Sequence, residues 1–306
     1  MTDPEYGTTE LDDSYLDTVT YQGREFQKYA IDNGINFTPV DDEEVERLEL
    51  QQRVLNKVFD DRLIFPPIQR PGKILDCGYG SGAWAIEVAD QYPSCEVIGV
   101  DITPHMKPDE TPENLWLQVD DLNRHFTFSP NQFDLVHSRF IASGIEKKRW
   151  PRYVRDIARV LKRGGWAQMV EIYFNVQSDS GSLTEDHALR KWSSRYIRAL
   201  DDTKDVRAGM KLASFMTAAG LVDVETKMIP LPLSAWSNDQ RMRMIGGINK
   251  DNARGFLGSL ALYPFTQQLQ MSTEEFEDLV SQARQEAEDT SLRAYVPMYV
   301  CIGRKP

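Results

Sequence analysis

Apolar residues in this chain follow two alternating rhythms. Ile74 and Leu75 form a short apolar run that ends in Asp76, passes through Gly78, Gly80 and Gly82, and enters a segment carrying Trp84, Val88 and Ala89. That order reads as strand, tight turn and helix start. Further apolar runs lie at 96–101, 115–119, 133–137 and 166–172. Between the last two, Pro151 opens a helix with Val154, Ile157 and Leu161 on one face, Lys162 and Arg163 in its last turn, and Gly164 to end it. A helix over about 206–219 ends at Gly220, a strand begins at 221–225, and a final strand covers 295–302. Strands alternating with helical periods predict an α/β, doubly wound parallel sheet.

The flanks follow a different pattern. Asp41 with Glu44 suggests a capping box before a helical stripe of Val45, Leu48, Leu55, Val58 and Phe59, expected to pack as core. Residues 1–20 are acidic and poor in periodic apolar positions, so they read as a mobile tail, although Tyr15, Leu16, Val19 and Tyr21 could dock, with 21–306 forming a single domain. Two stretches, about 174–205 and 232–293, do not belong to the bare sheet. Joined near the carboxyl ends of strands, they are expected to act as lids. Ser272 with Glu275 predicts a second capping box.

Composition narrows the partners. A net charge of -12 and a pI near 4.9 argue against nucleic acid, and the Lys147-Lys148-Arg149 cluster reads as a solvated loop. Cys77, Cys95 and Cys301 are spaced for neither a disulfide set nor zinc, so core thiols in a reducing compartment are expected. No leader pattern opens the chain and no apolar run approaches the ~20 residues of a membrane span. The expectation is a soluble, cytoplasmic protein without a membrane or metal partner.

The glycine turn permits two nucleotide readings. Gly78, Gly80 and Ala83 satisfy the dinucleotide fingerprint, whose helix start holds a pyrophosphate. Asp76, placed before the first glycine, instead suits a cationic amino group. Asp101, at the next strand end, can grip both ribose hydroxyls in either reading. The series Asp-x-Gly-x-Gly-x-Gly, Gly-Val-Asp ending at Asp101, Asp120-Asp121-Leu122 and Phe133-Asp-Leu-Val-His-Ser-Arg139 resembles class I S-adenosylmethionine-dependent methyltransferases. The flanks, Gly23-Arg24-Glu25-Phe26 with Tyr29, Pro39 to Glu44 and the final Gly303-Arg304-Lys305-Pro306, resemble the fungal LaeA-like branch.

The resemblance implies a Rossmann-like seven-stranded sheet, mostly parallel with the last strand antiparallel, and helical lid insertions. It implies S-adenosyl-L-methionine as cofactor. The turn of Gly78, Gly80 and Gly82 would approach the methionine moiety, Asp76 its amino group, and Asp101 the ribose. Asp120 or Asp121 would meet adenine with Leu122 lining the ring, and Tyr21 and Arg24 would reach the carboxylate.

Transfer from a sulfonium needs mainly alignment, and a base only for weakly nucleophilic acceptors. His137 and Glu171 are the candidates for acid–base or substrate contact, with pocket shaping and a loop hydrogen bond as their structural alternatives. His105 and His125 read as loop residues, and His187 as a surface helix position. Phe174, Trp192, Tyr196, Trp236 and Phe256 suggest a small, partly aromatic acceptor or simply core under a lid. The resulting expectation is methyl transfer to N or O of a small natural product of fungal secondary metabolism. A LaeA-type regulator acting through protein partners is the alternative, and a nicotinamide oxidoreductase the third reading.

Overall fold

The computed structural model describes residues 9–306. A hairpin of β1 (Thr18–Tyr21) and β2 (Arg24–Gln27) leads into helices α1 (Lys28–Asp32) and α2 (Asp42–Val58). The alternating part follows as β3 (Lys73–Cys77), α3 (Ala83–Gln91), β4 (Glu96–Asp101), β5 (Leu115–Val119), β6 (Phe133–Arg139), α4 (Trp150–Val160) and β7 (Leu161–Ile172). Then come the two-residue β8 (Gln177–Ser178), α5 (Ala188–Leu200), α6 (Leu212–Ala218) and β9 (Val222–Pro232). The chain ends with α7 (Gln240–Tyr263), α8 (Thr273–Glu288) and β10 (Ala294–Arg304).

The sheet runs β5-β4-β3-β6-β7-β10, with β9 and the short β8 also paired to β10. Strands β3 to β7 are parallel, and β10 is antiparallel to both β7 and β9. This is the expected mostly parallel sheet with its last strand reversed, and β8 adds a short eighth member. The order switches direction between β3 and β6, which leaves a crevice above their carboxyl ends.

Alternation along each strand distributes side chains between two faces. Leu75, Cys77, Val136 and Met169 pack with α4 and α6, whereas Ile74, Val97 and Leu135 meet Trp84, Ala85 and Val88 of α3. A third apolar cluster joins α2, α5, α7 and α8 to Val170, Ile172, Val296 and Met298. The segments expected as lids thus have a core of their own. Within it the Trp192 indole donates to Leu257 O at 2.8 Å and stacks on Tyr196, with centroids 5.1 Å apart.

Several local expectations change. Helix α4 stops at Val160, and Lys162, Arg163 and Gly164 lie in β7, because Leu161 pairs in register with Phe133 and Lys162 Nζ reaches Asp134 at 2.9 Å. The predicted helix over 206–219 divides into a 3-10 turn at Ala208–Lys211 and the shorter α6. Asp41 caps α2 by accepting Glu44 N–H, but the Glu44 side chain turns to Arg47, whereas Ser272 and Glu275 form the full box. Arg149 is buried rather than solvated, held by Asp156 at 2.5 Å. The three cysteines are free and buried.

Part of the predicted tail, residues 1–8, lies outside the described residues. Residues 9–14 are exposed, but docking begins at Tyr15, which packs on Tyr29 with centroids 4.4 Å apart, and the boundary near residue 20 falls inside β1. Among the described residues no helix is long and apolar enough to cross a membrane, and no His, Cys, Asp and Glu cluster suits a metal.

Candidate active site

Residues that follow β3, β4, β5 and β6 enclose a cavity of about 180 Å³. Its floor is the glycine turn. Gly78, Gly80 and Gly82 have φ of +81°, +58° and +77°, a region that penalises a Cβ. A methyl on Gly78 would lie 2.6 Å from Ile141 Cγ2, and one on Gly80 3.4 Å from Leu48 Cδ1, so the turn is tightly overlaid at Gly78. Gly82 caps α3 against Pro108 and does not line the cavity.

Asp101 is aimed by the backbone. Gly80 N–H and Thr103 N–H each donate to one of its carboxylate oxygens at 2.9 Å. Burial nevertheless pushes its pKa up to about 6, with the Asp76 charge adding to the shift. Asp120, Asp121 and Leu122 line the adjoining wall, and burial raises the Asp120 carboxyl as well. Asp120 accepts Asp121 N–H, and Asp121 accepts Asn123 N–H, which fixes both acids on a short turn.

The opposite side belongs to elements added before and after the sheet. Ile35, Asn36 and Thr38 of the leading segment cover it, and Glu44, Arg47, Leu48 and Gln51 project from α2. Phe140, Ser143, Phe174, Tyr196 and Leu260 make a largely apolar wall. Arg47 is held by Glu44 at 2.6 Å and donates to Asn252 of α7.

Five expected site residues are turned elsewhere. Asp76 and His137 are register partners on neighbouring parallel strands, so both side chains point to the α3 face. There His137 Nδ1 meets Asp76 Oδ1 at 2.8 Å, and the imidazole stacks on Trp84 with centroids 3.6 Å apart. Neither residue lines the cavity, and burial pushes the His137 pKa down although Asp76 pulls the other way. Glu171 also lies outside it, accepting Ile141 and Ala142 N–H at 3.0 and 3.2 Å, with burial raising its pKa to about 8. Arg24 is taken by Asp41 in two 2.7 Å bonds, and Tyr21 packs on Phe26 and Tyr263, so neither reaches the cavity.

Besides Arg47, a second cation, Arg139, reaches the cavity. Arg139 lines the cavity, and also a smaller one beside Trp84 and His137, and makes no ion pair within 4 Å among the described residues. Burial lowers its pKa to about 10, opposed by the charges of Asp76 and Glu87. Arg139 shares the strand parity of His137, which points away from the cavity, so alternation alone did not mark it. Glu44, Arg47 and Gln51 were missed because their helix reads as a core stripe. Elsewhere, His125 pairs with Asp156, His105 bonds Leu16 O, and His187 starts α5 away from the cavity.

The lining brings together the cations Arg47 and Arg139, the buried acceptor Asp101, and Asp120, Asp121 and Leu122 on the adjoining wall. Residues 74–165 match the model of a family described as a methyltransferase domain. The secondary metabolism regulator laeA of Monascus pilosus is 29% identical over 94% of this chain and 79% of its own length. The chain carries a methyltransferase domain and is similar over most of its length to the laeA-type proteins. Two further relatives of this methyltransferase are protein-methionine methyltransferase laeA of Emericella nidulans and methyltransferase pytC of Aspergillus terreus. They are 28% and 27% identical over 89% and 88% of the chain, covering 73% and 82% of their own lengths. A solved Haemonchus contortus phosphoethanolamine N-methyltransferase 2, in complex with S-adenosyl-L-methionine, shares the fold at 18% identity and a TM-score of 0.50. The match covers 83% of this methyltransferase and about half of the nematode chain (52%).

Proposed function

We propose that this methyltransferase acts in fungal secondary metabolism and methylates N or O of a small, partly aromatic natural product, with nitrogen favoured. The observation that carries the choice is where the candidate bases lie. His137 is committed to Asp76 behind the sheet, Glu171 to two backbone N–H groups, and Glu44 to Arg47. An amine brings its own lone pair, whereas a hydroxyl gains from deprotonation.

S-adenosylmethionine supplies an electrophilic methyl on an activated leaving group. Arg139 would hold its carboxylate, Asp101 its ribose, and Asp120 or Asp121 its adenine amino group, with Leu122 against the ring. The backbone of Gly78 and Gly80 lets the methionine portion approach closely, and the Phe140, Phe174 and Tyr196 wall would seat the acceptor and exclude water. These residues align and enclose; they do not move a proton.

The names of the laeA relatives support a second reading, a regulator whose acceptor is a protein side chain. Incubation with methyl-labelled cofactor and fungal extract separates the two. Label in a small organic-extractable amine supports the first reading, and label retained on protein supports the second. Label in neither fraction contradicts both.

A further inference from the structure

Lys204 is fully buried in the segment after α5, at the junction of the cavity's two sides. Its ammonium donates to Ile35 O at 2.9 Å and to Gly144 O at 3.2 Å, and lies 6.0 Å from the centre of the Phe37 ring. Ile35 and Gly144 both line the cavity, the first from the leading segment and the second from the loop after β6. Gly144 O also accepts the Asn123 amide at 3.0 Å, which brings the acidic turn after β5 into the same cluster. Backbone pairing of Glu146 with Lys204, and of Lys147 N–H with Thr203 O at 2.7 Å, fixes the lysine's own segment.

One side chain therefore joins its own segment to two other stretches around one end of the cavity, and a fourth stretch, at Asn123, shares the Gly144 carbonyl. A buried cation is costly unless its N–H groups are satisfied, and here carbonyls from two of those stretches satisfy them. The arrangement is complete only while the leading segment is down. Lifting Ile35 and Asn36 away from the cavity breaks the bond to Lys204 and leaves the ammonium short of an acceptor.

We propose that Lys204 latches residues 33–38 over the bound cofactor and thereby sets its release rate. The proposal rests on the reading of the cavity as the cofactor site. Lys204 is a positioning residue, acting through Ile35 and Gly144 rather than touching the reacting atoms.

Its titration supplies a distinctive signature. Burial lowers the Lys204 pKa to about 8 from its ordinary 10.5, although Glu146 and Asp121, the acids facing it, pull upward. Opening exposes the amine and restores its proton affinity. The closed state therefore binds fewer protons than the open one above about pH 8, and raising the pH favours closure.

The test is release of S-adenosylhomocysteine from the intact chain, followed by surface plasmon resonance, in the wild type, Lys204→Met and Lys204→Gln. Release from Lys204→Met is expected to be at least ~10-fold faster, with association changed less than ~3-fold and Lys204→Gln between the two. Wild-type release should slow several-fold between about pH 8 and 9.5, and Lys204→Met release should not. Hydrogen exchange at 33–38 should rise in Lys204→Met while β3 and β4 keep their protection. A folded Lys204→Met with wild-type release overturns the latch. If that variant does not fold, wild-type release that fails to slow over this pH range overturns it instead. A wild type that does not bind the product overturns the cofactor reading, and the latch with it.

Discussion

His137 Nδ1 lies 2.8 Å from Asp76 Oδ1, in a pair whose two side chains are each only 3% exposed. The pair braces the glycine turn from beneath and offers no base to the cavity. His137→Gln should therefore cost about 3 kcal/mol of stability, by leaving a buried acid without its partner. The pH dependence of turnover should keep its shape. Urea unfolding and a pH–rate profile check the two parts, and loss of a limb in the profile would restore a catalytic His137.

Glu171 makes stability fall as pH rises. Its folded pKa of about 8 stands above the ordinary 4.5, so the folded chain holds a proton that the unfolded chain has released between those values. His137 acts at the acid end. With its folded pKa below 6.5, the unfolded chain takes up a proton first and stability falls as the pH drops below about 6.5. Thermal unfolding of Glu171→Gln should show a weaker decline from pH 5 to 8 than the wild type. An unchanged slope would remove Glu171 as its source.

Arg139 and Arg24 should separate cleanly. Arg139→Gln removes one of the two arginines lining the cavity and should weaken cofactor binding by roughly 10-fold or more, the loss expected for a charge-assisted carboxylate contact. Arg24→Gln breaks the bidentate grip on Asp41 at the start of α2 and should lower stability by about 1 kcal/mol. Its direct effect on affinity should be small. Calorimetric titration of both variants with S-adenosylhomocysteine tests the contrast, and the reverse ranking would return the carboxylate to Arg24.

Gly78→Ala is the sharpest test of the turn. Its φ of +81° and the 2.6 Å approach to Ile141 Cγ2 together penalise any side chain. Cofactor affinity should drop at least ~10-fold even where the variant folds, because the turn must move off its position. Unaltered affinity would mean that the turn is not the floor of the site.

The alternation of strands and helices, the glycine turn and the positions of the acids at the end of β4 and after β5 were legible because short-range periodicity and turn chemistry dictate them. Side-chain direction at the strand tips was not read, although it was available. Ile74 and Asp76 share one face and Leu75 and Cys77 the other, which turns Asp76 and His137 toward Trp84. The roles of Arg24, Arg47 and Lys204 depend on which distant segment folds over them, and no local pattern encodes that. The helical stripe of α2 also gave no sign that Leu48 would lie over Gly80 rather than in the core.

The central claim is that Asp101, aimed by Gly80 and Thr103, grips the ribose of S-adenosylmethionine. Isothermal titration of S-adenosylhomocysteine into the wild type and Asp101→Ala measures this directly. One-site binding that weakens by about 2 kcal/mol or more in the variant is the predicted result. Equal affinity in the two proteins, or binding of NAD in place of S-adenosylhomocysteine, would contradict it.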